Sequence, residues 1–243
     1  MIEMRNINKV YRSELVETRA LRELSQQVGA GEFVAITGPS GSGKTTLLNI
    51  VGLLETFDSG SLHFDGEDVS RLSDDARSRL RNEKIGFIFQ SFNLIPDLSI
   101  YDNVDVPLCY RGMKAGERHR RITSALELVG LGSRMRHLPS QLSGGQQQRA
   151  AIARAIAGDP KLLLADEPTG NLDSVMAGQV LDLLQQINQS GTAIVMVTHD
   201  PHLAARAQRS VHVVDGQIAP EESGTLRAPA ALAMPEARAR ETR

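Results

Sequence analysis

Apolar residues along this chain follow two periods. Short unbroken apolar runs at 33–37, 85–89, 162–165 and 193–197 predict buried strands, and stretches of helical spacing lie between them. That alternation predicts an α/β fold with a parallel sheet. Residues 2–10 alternate loosely and predict an earlier strand. A polar connection at 12–18 leads to a second strand around 24–28, and a third short strand is expected at 61–64, after a turn at 58–60. Helices are predicted at 46–54, 73–81, 101–110, 117–129, 150–157 and 175–189, with Ser73 and Asp74 as cap candidates for the second. A last hairpin is expected at 211–214 and 217–219, around Asp215-Gly216. Between 99 and 132 the period is helical throughout. This block interrupts the alternation and reads as an inserted helical subdomain, about 95–157.

Composition narrows the picture. The chain has 243 residues, 41% of them hydrophobic, enough for a full core. A net charge of −2 supplies no positive field for nucleic acid, and no nucleic-acid partner is expected. The lone cysteine, Cys109, fits a reducing compartment and reads as a packing residue. The first residues hold no apolar signal region, and no apolar run approaches the roughly 18 residues of a spanning helix. Work at a membrane then requires another protein to hold the chain there. Residues 223–243 are rich in Ala and Arg without apolar periodicity and read as a disordered tail.

The sharpest chemistry follows the strand at 33–37. Gly38-Pro39-Ser40-Gly41-Ser42-Gly43-Lys44-Thr45-Thr46 is a phosphate loop opening a helix. Its glycines permit positive φ and close approach of the main chain, so successive N–H groups face one concavity at a helix N-terminus. Lys44 adds a full charge, worth about 4 kcal/mol against one phosphate charge at roughly 4 Å and an effective dielectric near 20. Thr45 offers a hydroxyl to Mg²⁺. Further along, Asp166 and Glu167 end an apolar strand, where unpaired carboxylates are costly. Asp166 suits a metal and Glu167 a water nucleophile.

Four other positions admit two readings from the residues alone. Tyr11, at a strand end, suits stacking on a purine or ordinary half-buried packing. Gln90, where a strand opens into a loop, suits Mg²⁺ or water, or is a solvated loop residue. His199 in Thr198-His199-Asp200 touches a terminal phosphate or is structural. Ser143, Gly144 and Gly145 cap a helix, yet two glycines exceed what capping needs and suggest a bare backbone surface for a second anion. The basic run 118–121 reads as a solvated helix face.

Taken together and in order, GPSGSGKTT, the Gln after a strand, LSGGQ, LLLADEP, NLDS and VTHD resemble the ATP-binding subunit of ABC transporters over residues 1–222. The resemblance implies a P-loop NTPase of ABC type, with a RecA-like core, an N-terminal antiparallel β-subdomain and the helical insertion. It implies ATP and Mg²⁺ as cofactors and a dimer with a second copy. Tyr11 then looks like the adenine-stacking residue and Gln90 like the sensor of Mg²⁺ and the membrane partner. Ser143, Gly144, Gly145 and Gln146 look like the signature that binds ATP held by the opposite subunit. Asp166 resembles the metal aspartate and Glu167 the catalytic base. Asp173 matches the loop that crosses the dimer, and His199 the terminal-phosphate switch. VETRALRELS, LLNIVGLLETFDSG and IGFIFQSFNLIPDLSIYDNVDVPL look like the lipoprotein-release and macrolide-export (MacB/LolD-type) branch. That branch implies a separate membrane permease that expels or extracts a substrate, with the cassette at the cytoplasmic face of the inner membrane. The alternative is an ATP-gated regulator of a membrane complex, as in cell-division relatives.

Overall fold

Two long strands, β1 (Ile2–Arg12) and β2 (Glu17–Val28), pair antiparallel from Ile2↔Val28 to Arg12↔Glu17 in the computed structural model. The described residues are 1–12 and 17–219; the expected tail lies outside them. β2 starts well before its expected position. Its first half is polar because that face is exposed, with only Leu21, Leu24 and Val28 buried along the strand. Cross-strand hydrogen bonding to β1 holds this half. β4 (Ser59–Phe64) pairs with β1, and the short β5 (Glu67–Asp68) pairs with β4, giving an antiparallel sheet in the order β2-β1-β4-β5.

The second sheet holds the apolar runs. It comprises β3 (Phe33–Thr37), β6 (Ile85–Phe89), β7 (Leu162–Asp166), β8 (Ala193–Val197), β9 (Arg209–Val214) and β10 (Gln217–Ile218), in the order β10-β9-β3-β8-β7-β6. Every pairing is parallel except that of β10 with β9. Alternation along the strands sends side chains into two separate cores. Phe33, Ala35, Leu163, Ala165, Ile194 and Met196 face one; Val34, Ile36, Leu162, Leu164, Val195 and Val197 face the other.

Helices cover both faces. α1 (Lys44–Val51) buries Leu47, Leu48, Ile50 and Val51 in the second core, shared with the antiparallel sheet. Each such side chain is worth about 1.5–3 kcal/mol. α2 (Asp74–Lys84) lies on the surface and is capped by Ser73, which accepts from the Ala76 N–H. Between β6 and β7 come α3 (Ile100–Tyr110), α4 (Ala115–Leu128), two 3₁₀ turns (Gly132–Arg134 and Pro139–Gln141) and α5 (Gly144–Ile156). With α6 (Ser174–Gln189) they pack on the first core. α7 (Pro201–Ala204) is a single turn capped by Asp200.

Two expectations are corrected here. Cys109 is exposed on α3 rather than packed, since the apolar stripe of that helix passes through Ile100, Val104 and Leu108. The basic run on α4 is only partly solvated. Arg118 pairs with Asp105 at 2.7 Å, Arg121 pairs with Glu117, and His119 meets the Tyr101 hydroxyl.

Candidate active site

The phosphate loop leaves the carboxyl end of β3, in the middle of its sheet. Gly38, Gly41 and Gly43 all take positive φ, at 143°, 76° and 102°. Their surroundings differ. A Cβ on Gly38 would lie 2.0 Å from the Val213 carbonyl oxygen, and one on Gly43 would lie 2.4 Å from that of Ala20. These two glycines seat the loop against β9 and β2. A Cβ on Gly41 would meet nothing within 4 Å, so this glycine faces the open side of the loop. Lys44 Nζ donates to the Gly38 and Pro39 carbonyls at 2.9 and 2.7 Å, which holds the ammonium at the mouth of the loop. Ser42 is buried, and its hydroxyl finds no partner among the described residues.

Parallel pairing of β3, β8 and β7 brings three strand ends together. At the end of β7, Asp166 lies near Thr45 and Lys44 of the phosphate loop. Burial pushes the Asp166 carboxyl up, and the Glu167 charge adds to this; Thr45 and Lys44 oppose it. Next along, Glu167 takes φ +46°, with its N–H on the Val197 carbonyl. Its Oε2 lies 2.9 Å from His199 Nδ1, beyond the end of β8. The His199 side chain is 73% exposed, so it is reachable from outside.

Tyr11 sits near the far end of the β1–β2 ladder, whose Ala20 carbonyl abuts Gly43. Tyr11 is 41% exposed, and its ring carries the Lys9 ammonium 5.0 Å from its centroid. Close by, Glu55 holds Lys9 at 2.8 Å. The hydrogen bond and charge of the Lys9 ammonium keep the Glu55 carboxyl below its usual range.

The remaining expected residues form a second group. Ser143 caps α5 in a reciprocal box with Gln146. The Ser143 hydroxyl accepts from the Gln146 backbone N–H, and the Gln146 side-chain Oε1 accepts from the Ser143 N–H. The two glycines of this stretch differ: Gly144 is half-exposed, and a Cβ there would make only ordinary contacts. Gly145 is buried, and a Cβ there would lie 2.5 Å from Met176 Sδ, so this glycine serves close packing of α5 on α6. Asp173 caps α6, accepting from the Met176 N–H at 2.9 Å. Gln90 is tied to Asn171, whose amide donates to the Gln90 carbonyl at 3.0 Å.

Within this group, Gln90 follows the strand end next to Asp166, whereas the Ser143 helix lies away from the phosphate loop. α1 belongs to the core on one face of the parallel sheet, and α5 to the core on the other. Two further residues hold the site's loops. Asn171 was visible in the sequence only as part of NLDS, and Arg154 gave no signal. Arg154, on α5, bonds the Phe92 and Asn93 carbonyls and so fixes the loop after Gln90. Phe92 and Asn93 both have positive φ, which Asn takes readily and Phe seldom.

Comparison with known proteins supplies the family. The model for the ABC transporter family matches residues 21–170. A macrolide export ATP-binding/permease protein, MacB, of Syntrophobacter fumaroxidans is 50% identical over 224 residues, covering 91% of this chain and 31% of that protein. The chain thus spans about a third of the length of that relative. An uncharacterized ABC transporter ATP-binding protein of Thermotoga maritima is 48% identical over 218 residues, covering 90% of this chain and 93% of that one. The solved ATP-binding cassette MJ0796, a dimer in a post-hydrolysis state bound to ADP and Pi, superposes with a TM-score of 0.83 at 41% identity, over 90% of this chain and 96% of that one. With the phosphate loop, the strand-end carboxylates and the helical insertion in one architecture, the chain belongs to the ABC transporter family as its ATP-binding and ATP-hydrolysing cassette.

Proposed function

We propose that two copies of this chain close around ATP and drive a membrane permease that exports or extracts a substrate of the lipoprotein, macrolide or peptide class. Residues 1–222 act as one nucleotide-binding domain. The observation that carries the reading is the placement of the phosphate loop and the Ser143 helix on opposite faces of the parallel sheet. A nucleotide held by one chain's loop then meets Ser143 only from another molecule. The dimeric relative bound to ADP and Pi supports this arrangement. The macrolide-export relative supports export, and the Thermotoga maritima relative supports an ATP-binding subunit of an ABC transporter.

The site's residues divide the work. Backbone N–H groups of 38–46 and Lys44 bind the phosphates, and Tyr11 stacks on the base. Thr45 and Asp166, which lie near each other, are hard oxygen donors that suit Mg²⁺, with Gln90 as a third candidate. Bound there, Mg²⁺ would offset phosphate charge. Glu167 takes the proton of the attacking water, and His199 orients Glu167 and contacts the terminal phosphate. Ser143 and the N-terminus of α5 supply the opposite chain's contacts to that phosphate, together with the Asp173 loop. Charge-assisted hydrogen bonds of this kind are worth about 1.5–3 kcal/mol each. Losing two on hydrolysis weakens the dimer by more than about a hundredfold, at roughly 1.4 kcal/mol per tenfold.

Motion reaches the permease through the cleft beside the Gln90 loop. It is about 700 Å³ and is lined by Leu54, Phe87, Phe89, Val106, Tyr110 and Arg111. Tyr110 is 83% exposed and gives an amphipathic segment of the permease an apolar seat. Among the described residues no helix is long and apolar enough to cross a membrane, so we place the chain at the cytoplasmic face through that partner.

The test is Glu167→Gln. It keeps the size and loses the base, so turnover should stop while ATP still binds and the dimer accumulates with ATP. Light scattering and a phosphate-release assay check both. A monomeric Glu167→Gln protein with normal turnover would sink the reading.

A further inference from the structure

Three consecutive glutamines on α5 have three different partners. Gln146 closes the cap of Ser143, Gln147 donates to the Leu142 carbonyl at 3.1 Å, and Gln148 turns inward. Gln148 is 0% exposed. Its amide nitrogen donates to the Pro168 carbonyl, and its amide oxygen has no partner among the described residues. A buried amide satisfied on one side only is costly, and an apolar residue of the same size would avoid the cost. Packing therefore does not explain this glutamine.

The contact falls on a particular peptide. Residues 167–170 form a turn closed by the Gly170 N–H on the Glu167 carbonyl at 3.0 Å, with Pro168 at its second position. The central peptide of such a turn has two orientations that differ in where the second residue's carbonyl points. Gln148 holds that carbonyl. The turn begins at Glu167, whose φ of +46° is one that L residues seldom take. Glu167 is thus fixed on its amino side by β8 and on its carbonyl side by a turn pinned to α5.

We propose that Gln148 is a positioning residue that sets the orientation of Glu167 from the helix carrying Ser143. The proposal rests on the reading of Glu167 as the base. Ser143 and Gln148 are about 7–8 Å apart along one helical rod, at 1.5 Å per residue. A displacement of the capped end is carried to the Pro168 carbonyl, and from there to Glu167. In a closed pair, Ser143 touches one nucleotide while Glu167 of the same chain serves the other. Gln148 then links the two sites.

The test compares Gln148→Met, Glu167→Gln and the double variant, all in the full chain with ATP and Mg²⁺. Methionine keeps the volume and removes both polar ends. In Gln148→Met, kcat should fall by about ten- to a hundredfold, the scale of a small misplacement of a catalytic group. KM and equilibrium binding of a fluorescent ATP analogue should stay within about twofold, because the phosphate loop is untouched. In single-turnover measurements the double variant should be no slower than Glu167→Gln alone, because Gln148 acts through Glu167. If Gln148→Met does not fold, Gln148→Glu, which keeps the size and loses the donor, is read the same way. Slow turnover in Glu167→Gln beside normal turnover in Gln148→Met overturns this proposal alone. So does a double variant slower than Glu167→Gln by the full Gln148→Met factor. Normal turnover in Glu167→Gln overturns the base assignment, and this proposal with it.

Discussion

Gly38 and Gly41 share one loop and both have positive φ, yet they should respond differently to a methyl group. At Gly38 the new Cβ would strike the Val213 carbonyl, which is backbone within a sheet and has no room to move. Gly38→Ala is expected to lose nucleotide binding and several degrees of melting temperature. Gly41→Ala meets open space and carries only the conformational cost of its φ, about 1–2 kcal/mol. It should fold, with weaker nucleotide binding. Thermal melts with and without ATP separate the two. Glu55 gives a second prediction. Its carboxyl is held below its usual range by Lys9, so the ion pair stabilises the fold above the unfolded carboxylate range, and this is lost as pH falls through the folded value. Glu55→Gln should therefore melt lower at neutral pH, by about 2–4 °C for each 1 kcal/mol lost. The gap should narrow in acid; a gap that widens there contradicts the pairing. Neither contrast was legible in the sequence. The motif gives the glycines, but which of them faces a ligand and which faces another strand depends on β2 and β9, far away along the chain.

At the scale of elements, β7 and α5 bring different things to the site. β7 was legible as an apolar run ending in two carboxylates, and its burial on both sides explains why the run is unbroken. The capping serines were legible too, because Ser73 and Ser143 precede helices with the expected spacing. The start of β2 was not, since a polar strand held by its neighbour's hydrogen bonds shows no apolar period. Nor was the job of Gly145, which depends on Met176 crossing it. Placement of α1 and α5 on opposite faces carries a prediction. Mixing Lys44→Ala with Ser143→Arg should restore nucleotide occlusion, because in the mixed dimer one site carries both defects and the other neither. Hydrolysis need not return if both sites must fire together. Occlusion that stays at the level of the separate variants, with mixed dimers demonstrated, contradicts the shared site.

At the scale of the molecule, the two cores share only the strands of the parallel sheet. The block of α3, α4 and α5 rests on one core, and α1 with the antiparallel sheet rests on the other. Regions that lean on one core open at lower free energy than the strands between them. Amide hydrogen exchange should therefore be layered. β3, β7 and β8 should exchange most slowly, near the rate of global unfolding, while α3 and α4 exchange sooner and as a unit. Mass-spectrometric exchange on the chain without nucleotide reads this directly, and uniform protection across α4 and β8 would contradict it. Such a layered landscape lets the helical block yield under load while the strands that carry Thr37, Asp166 and Val197 stay shut. In mechanical terms the molecule has a soft flank bolted to a stiff keel, and force from a moving partner is taken up by the flank.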